Sequence, residues 1–203
     1  MRTRMMALVI GLALLPTAAP ADEVKSCTAA SDAGLSVHDT TRLAHLEDSR
    51  AKGLAANEKD ADPDVGKALG QIYDRGVVAA SSVMPGNYRC RTIKLGSQFE
   101  GGRSVAYGYF ACRIAKATSG WTIAKTTGSQ NFTGALTPGG DGLLYKGAGY
   151  YGYEKPRAYG SEPEQDQVGC LYGIADNPRH YVLELPEPQF ESLFDVIELV
   201  PAR

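Results

Sequence analysis

The chain is short of several things in its 203 residues: net charge, long apolar runs, tryptophan (one) and histidine (three). Each shortage excludes a class of function. Lys and Arg number 21 against 23 Asp and Glu, a formal charge of −2. That is too near neutral to advertise a nucleic-acid partner. No stretch approaches the ~20 apolar residues of a membrane span. His38 and His45 lie seven apart with no third ligand in the pattern, and His180 is remote, so no metal site is implied. No Cys-x-x-Cys, P-loop or Gly-x-Ser-x-Gly occurs, and no cofactor is called for. Ser49-Arg50-Ala51-Lys52 and Lys125-Thr126-Thr127-Gly128 imitate the S-x-x-K and K-T-G elements of penicillin-recognising serine enzymes. The S-D-N element is missing and Ser49 falls inside a charged helical segment, so the imitation carries no chemistry. No nucleophile, base and orienting group come together, which points toward binding rather than catalysis.

What is present begins with an address. Arg2 and Arg4 precede a short apolar run, Met5 to Leu15, and Ala19-Pro20-Ala21 fits a signal-peptidase site. Residues 1–21 therefore read as a signal peptide cleaved before Asp22, and the mature chain is expected to be periplasmic or secreted. Lys25 and Ser26 before Cys27 do not make a lipid-attachment pattern. All four cysteines, Cys27, Cys90, Cys112 and Cys170, lie beyond the cleavage point. An even number in an exported chain points to disulfides.

The remaining chain changes character near residue 85. Over 22–84 it is glycine-poor and helical in period. One amphipathic helix is expected from an N-cap at Asp39 or Thr40, with Leu43, Leu46, Arg50 and Leu54 on one stripe. A polar loop over 57–61 follows, then a second helix opened by Asp62-Pro63 and stopped at Gly76. Residues 86–203 hold 17 of the 23 glycines and ten of the 11 tyrosines. Strands are expected near 86–95, 105–115, 121–127, 131–137, 142–149, 167–175, 180–185 and 193–200, separated by Gly, Pro, Asn and Asp turns. With no helix between them they form an antiparallel meander, and eight strands can close into a barrel over 85–203; an open sheet or sandwich is the alternative. The fold class is α+β, a helical hairpin beside an eight-stranded, lipocalin-like barrel. Whether that barrel is filled or hollow decides whether it holds a ligand.

Cys90 and Cys112 sit mid-strand in successive strands, so a hairpin pairs them and leaves Cys27 to Cys170. Alternation then puts Arg89, Arg91 and Arg113 together on the other face, in phase with Ile93 and Leu95, and those apolar neighbours mark it as a face pointing inward or toward the barrel mouth. Two readings stay open. The arginines meet internal carboxylates such as Asp195, Asp166 or Glu191, or they hold an anionic ligand bidentately. Residues 145–160 carry five tyrosines among four glycines. Tyr150, Tyr151 and Tyr153 are candidates for the rim of a binding site, or they cover one end of the barrel.

The runs Pro85–Gly96, Phe110-Ala111-Cys112-Arg113-Ile114, Thr127-Gly128-Ser129-Gln130 and Phe190–Pro201 resemble a bacterial exported family known as domain of unknown function 4893. The resemblance covers most of the mature chain. It implies an exported protein in which the pair equivalent to Cys90 and Cys112 belongs to the pattern, whereas Cys27 and Cys170 are additions, which supports pairing those two. It brings no established activity. More remotely, a barrel opening on Gly-x-Tyr with a disulfide in its first hairpin is similar to small periplasmic protease inhibitors and other lipocalin-like barrels, an analogy of fold only. Those inhibitors use an extended N-terminal strand, where this chain has helices.

Three functions follow. The first is a non-catalytic barrel binding a small, anionic molecule or a cell-envelope component. The second is a protein-binding module such as a protease inhibitor. The third is an enzyme of unrecognised type, which would need two carboxylates in a deep pocket, or Arg91 with a carboxylate and His180.

Overall fold

Every strand expected from Gly86 onward forms. The structure, a computed structural model, describes residues 27–30 and 33–202. The expected signal peptide and its cleavage point lie outside the described residues. The elements run α1 (Val37–Ala44), α2 (Leu46–Asp60), α3 (Pro63–Tyr73), β1 (Val77–Val78), β2 (Gly86–Leu95), β3 (Val105–Ala106), β4 (Phe110–Lys116), β5 (Trp121–Lys125), β6 (Gln130–Gly139), β7 (Gly142–Tyr151), β8 (Asp166–Ile174), β9 (Asn177–Pro186) and β10 (Phe194–Pro201). All pairings are antiparallel, in the order β8-β7-β6-β5-β4-β2-β10-β9. β9 pairs back onto β8 and closes an eight-stranded barrel. Closure removes the sheet edges that an open meander would expose.

The helical part differs from expectation in two ways. The first helix starts earlier and is broken. Ser36, extended at φ −64° and ψ 160°, accepts from the Asp39 amide, so the cap lies three residues before Asp39. His45 departs from helical geometry, its amide shared between the Thr41 and Arg42 carbonyls at 3.1 Å each. The break lets α1 and α2 follow the curved barrel separately. Leu43 packs with Leu144 and Val168, whereas Leu46 joins a larger cluster. The expected loop over 57–61 is helical as far as Asp60, and Ala61 ends the helix in the left-handed region at φ 51°. Asp62 caps α3 as expected, accepting from Asp64 and Val65 with Pro63 at the first turn.

Two hydrophobic cores share the barrel wall. One fills the interior from Tyr88, Ile114, Trp121, Leu136, Leu143, Leu171, Tyr181 and Leu199, with Tyr88 and Tyr181 edge to face at 6.0 Å. The other lies outside, where Val65, Ala68, Leu69 and Ile72 cover Ile93, Leu95, Tyr172, Val182, Phe194 and Val196. β8, β9 and β10 are therefore buried on both faces almost throughout, whereas β4 and β5 alternate. Gly53 permits the close approach of α2: a Cβ there would stand 2.7 Å from Cβ of Phe194.

Three arginines fasten the helices to the wall. Buried Arg42 of α1 bonds Asp39 at 2.8 Å and the carbonyls of Asp166 and Pro186. Arg50 of α2 forks onto the buried Glu184 carboxylate of β9, which also accepts from Tyr73 of α3 at 2.8 Å. Arg91 of β2 reaches Gln71 of α3 at 2.7 Å while paired with Glu198 of β10. Each buried charge thus has a fixed partner and additional hydrogen bonds.

Both disulfides form, Cys90–Cys112 and Cys27–Cys170, and no described cysteine is free. Cys90 stands opposite Phe110 and Cys112 opposite Tyr88, so the bridge runs diagonally across the interior face of β2 and β4. The two disulfides are compatible with an exported protein. Among the described residues no helix is long and apolar enough to cross a membrane.

Candidate functional site at the barrel mouth

Strand alternation fills one end of the barrel and hollows the other. At the far end the inward positions are large and apolar, as above. At the near end they are Thr92 and Lys94 of β2, Lys125 of β5, Gln130 of β6, Gln167 of β8 and Asp195 of β10. Two adjoining recesses of about 350 and 130 Å³ open there and share Lys94, Gln130, Asn131, Gln167, Leu185 and Asp195. The larger is at the small end of the roughly 300–1,000 Å³ usual for small-molecule sites. Phe110, Phe132, Leu185 and Ile197 line the inner recess. Tyr145, in edge contact with Phe132, donates from its hydroxyl to Gln167 Oε1 at 3.1 Å.

The two lysines differ in their company. Lys94 pairs with Glu191 from the β9–β10 loop and donates to Gln130 Oε1 at 3.4 Å. Burial alone would lower its pKa, but the bond to Glu191 and the nearby Asp195 charge carry it above the ordinary lysine value. Lys125, only 7% exposed, donates to the Gln130 carbonyl and lies over the Phe110 ring, 4.1 Å from its centroid. Among the described residues it has no carboxylate within 4.0 Å. Burial, then repulsion from Lys94, hold its pKa below the usual value. Asp195, accepting from the Ser192 hydroxyl at 2.5 Å, is pushed up to about 6 by burial. Among the described residues the mouth therefore contains a desolvated ammonium without a counter-ion, and in the same recess a carboxyl that resists ionisation.

The lip is aromatic and amide-rich. Tyr151 lines the larger recess, and its ring is stacked parallel on that of Tyr153, centroids 5.6 Å apart. Phe99 and Phe190 line the same recess with exposed rings. The Tyr150 hydroxyl donates to the Lys125 carbonyl at 3.4 Å. Tyr159, from the same tyrosine-rich stretch, instead bonds Asp39 and ties the stretch to α1.

The arginine candidates lie elsewhere. Arg89, Arg91 and Arg113 share one face, opposite the cysteines, but that face is the outside of the barrel. Ile93 and Leu95 mark burial under helices, not the interior. Arg91 pairs with Glu198 at 2.6 Å, a carboxylate the sequence reading did not name, and the Tyr109 ring lies beneath both Arg89 and Arg91 at about 5 Å. Arg113 is exposed on the outer surface. Lys94 and Lys125 are residues to which the sequence pattern gave no role, and Asp195, expected as a partner of the arginines, faces the mouth instead. Their signal was phase: Lys125 follows Trp121 and Ile123 on one face, and Lys94 shares the cysteine face.

Arg91, a carboxylate and His180 do come together on the outer wall, where Glu198 and His180 line a depression of about 260 Å³ and Arg91 bonds Glu198 from beside it. Glu198 Oε2 accepts from Arg91 Nε and Tyr109 at 2.6 Å each, and Oε1 faces His180 Nε2 at 2.9 Å. His180 Nδ1 faces Asp176 at 2.7 Å. Both ring nitrogens are occupied by acceptors, an arrangement that suits imidazolium and leaves no free base. No serine, threonine, cysteine or lysine lines this depression. Its geometry is that of a pin between β2, β9, β10 and α3. Among the described residues no group of three or more His, Cys, Asp and Glu side chains is placed to hold a metal ion.

No curated protein and no solved structure matches the chain. A family model does, over residues 32–199, which takes in the three helices and nearly all of the closed barrel; the chain belongs to the family described as Domain of unknown function (DUF4893).

Proposed function

We propose that the protein is an exported, non-catalytic binding barrel whose open end takes a small anionic molecule, with Lys125 and Lys94 as the cationic contacts and Tyr150, Tyr151 and Tyr153 at the rim. The observation that carries this reading is the Lys125 ammonium, buried at the hollow end with a carbonyl and a ring face for company. A desolvated charge of this kind is costly until an anion completes it. Lys94 supplies a second donor, because its partner Glu191 is half exposed and sits on a loop that an incoming anion can displace. Arg91 is a structural residue in this reading, and Arg89 and Arg113 are surface cations.

The test is native mass spectrometry of the protein purified from the exported fraction, with Lys125→Met beside it. The wild type is expected to carry an acidic small molecule that the variant lacks. The variant should be at least as stable thermally, since removing an uncompensated buried charge relieves a cost. Retention of the same acid by Lys125→Met, or a wild type that carries and takes up no acid, would overturn the reading.

A further inference from the structure

The anionic group is one part of what the mouth is built to hold. We infer that the ligand is a sugar acid, a pyranose ring bearing one carboxylate; this rests on the anion-binding reading above. Three independent features point to it.

The first is a donor and an acceptor side by side. Gly149 of β7 faces the recess, and a Cβ built there would stand 3.3 Å from Gln167 Nε2 and 3.4 Å from Gln165 Oε1. Two amides, one presenting N–H and one presenting C=O, thus converge on space that the glycine leaves open. Gln167 is oriented for this by Tyr145, whose hydroxyl occupies its Oε1 and turns its N–H groups the other way. A hydroxyl both donates and accepts, so vicinal hydroxyls on a ring match such a pair, whereas an alkyl or aryl acid would leave both amides unpaired.

The second is the platform. Tyr151 and Tyr153 are parallel within 1°, and Tyr153 is 85% exposed, so the stack extends the lip outward. A flat, electron-rich face with polar tips suits the C–H face of a sugar ring, whose own edge is hydrophilic. The third is charge. Glu164, Asp166, Glu191 and Asp195 line the same recess as Lys94 and Arg42, and Arg42 is already committed to Asp39 and to the carbonyls of Asp166 and Pro186. A dianionic phosphate ester would meet those carboxylates, whereas a single carboxylate is matched by the two ammonium groups that remain.

The experiment compares three probes by calorimetric titration of the mature protein at millimolar concentration. These are glucuronate, glucose, and cyclohexanecarboxylate, an acid with the same ring size and charge but no hydroxyls. Glucuronate is expected to bind about tenfold or more tightly than either of the others, a difference of about 1.4 kcal/mol. Lys125→Met should bring glucuronate down to the level of glucose. Gly149→Val, which fills the space between the amides, should abolish the preference for glucuronate over cyclohexanecarboxylate. Tyr153→Ala, at an exposed side chain with no part in the core, should weaken glucuronate by removing the face on which its ring lies. Equal binding of cyclohexanecarboxylate and glucuronate by the wild type overturns the sugar inference and leaves the anion site standing. Equal binding of glucose and glucuronate, unaffected by Lys125→Met, overturns the anion reading and this inference with it. No heat from any of the three overturns both.

Discussion

Glu198 shows how a single carboxylate on the outer wall gathers its neighbours into one network. It is 2% exposed and takes Arg91, Tyr109 and His180 at once. Burial would raise its pKa, but the donors, His180 first, hold it below the ordinary glutamate value. His180 is the complement. Burial would lower it, and Glu198 and Asp176 carry it above the usual imidazole value. The signs then follow. A histidine raised in the folded state contributes stability that is complete below its unfolded value of about 6.5 and is lost as pH rises through the higher folded value. A glutamate lowered in the folded state contributes stability that is complete above its unfolded value, about 4.3, and is lost on acidification. Replacing His180 with Gln should therefore flatten the decline in urea midpoint on the alkaline side of 6.5 while lowering stability below it. Glu198→Ala should cost more, about 3–5 kcal/mol, because it strands Arg91 and His180. An unchanged urea midpoint in Glu198→Ala would show the network to be ornamental. Asp195 behaves oppositely to Glu198. Burial raises it to about 6 by disfavouring the ionised form in the fold, so Asp195→Asn should stabilise the protein at neutral pH and remove the rise in stability expected on acidification from about 6 toward 4.

At the level of elements, the β9–β10 loop places a competing carboxylate at the mouth. It crosses the mouth between Pro186 and Phe194 with two non-glycine residues at positive φ, Glu187 at 43° and Glu191 at 73°. Its Glu191 carboxylate occupies Lys94, the place a ligand carboxylate would want. Glu191→Gln should accordingly tighten binding of any acid that uses Lys94, by roughly two- to tenfold, the scale of one exposed ion pair. Titration of the variant with the same acid probe checks this, and weaker binding would mean that Glu191 is part of the site instead of its competitor. The loop was invisible in the sequence because positive φ at glutamate has no compositional mark. The strands were legible because short β-branched and aromatic runs between glycine turns have no other good conformation, and all eight appear within a few residues of where they were expected. The interruption at Tyr107-Gly108-Tyr109, which divides the expected 105–115 strand into β3 and β4, was not. Tyr109 there reaches a partner distant in the chain, its hydroxyl donating to Glu198. The arginine face was right in phase and misjudged in side, since Ile93 and Leu95 report burial without saying which of two cores buries them. A chain with helices on one wall has two insides, and periodicity of two cannot distinguish them. Lys125 belongs in the sequence to a false K-T-G element, although its phase with Trp121 and Ile123 marks a cation aimed inward.

For the whole molecule, the same asymmetry separates what holds the barrel from what the barrel offers. The closed, aromatic-filled end, the outer core under the helices and the three arginine fastenings leave the near end free to carry polar groups that contribute nothing to stability. The disulfides follow this division, for none of their cysteines lines the two recesses at the mouth. Cys90–Cys112 closes 22 residues between strands that are already paired, whereas Cys27–Cys170 spans 143 and ties the N-terminal segment to β8. On chain entropy alone these are worth roughly 3 and 5 kcal/mol. Both Cys170 and Cys90 are fully buried, so each replacement also leaves a sulfur-sized gap that adds to the loss. The paired replacement Cys27→Ser with Cys170→Ala is therefore expected to lower the urea midpoint more than Cys90→Ala with Cys112→Ala, despite lying outside the barrel interior. Both variants, examined well below their melting temperatures, should keep the wild-type affinity for an acid probe, because the mouth is assembled by strand register and not by either bridge. A larger loss from the Cys90–Cys112 pair would place the weight on interior packing over chain restriction. A loss of affinity in either folded variant would show that the two ends of the barrel are mechanically coupled.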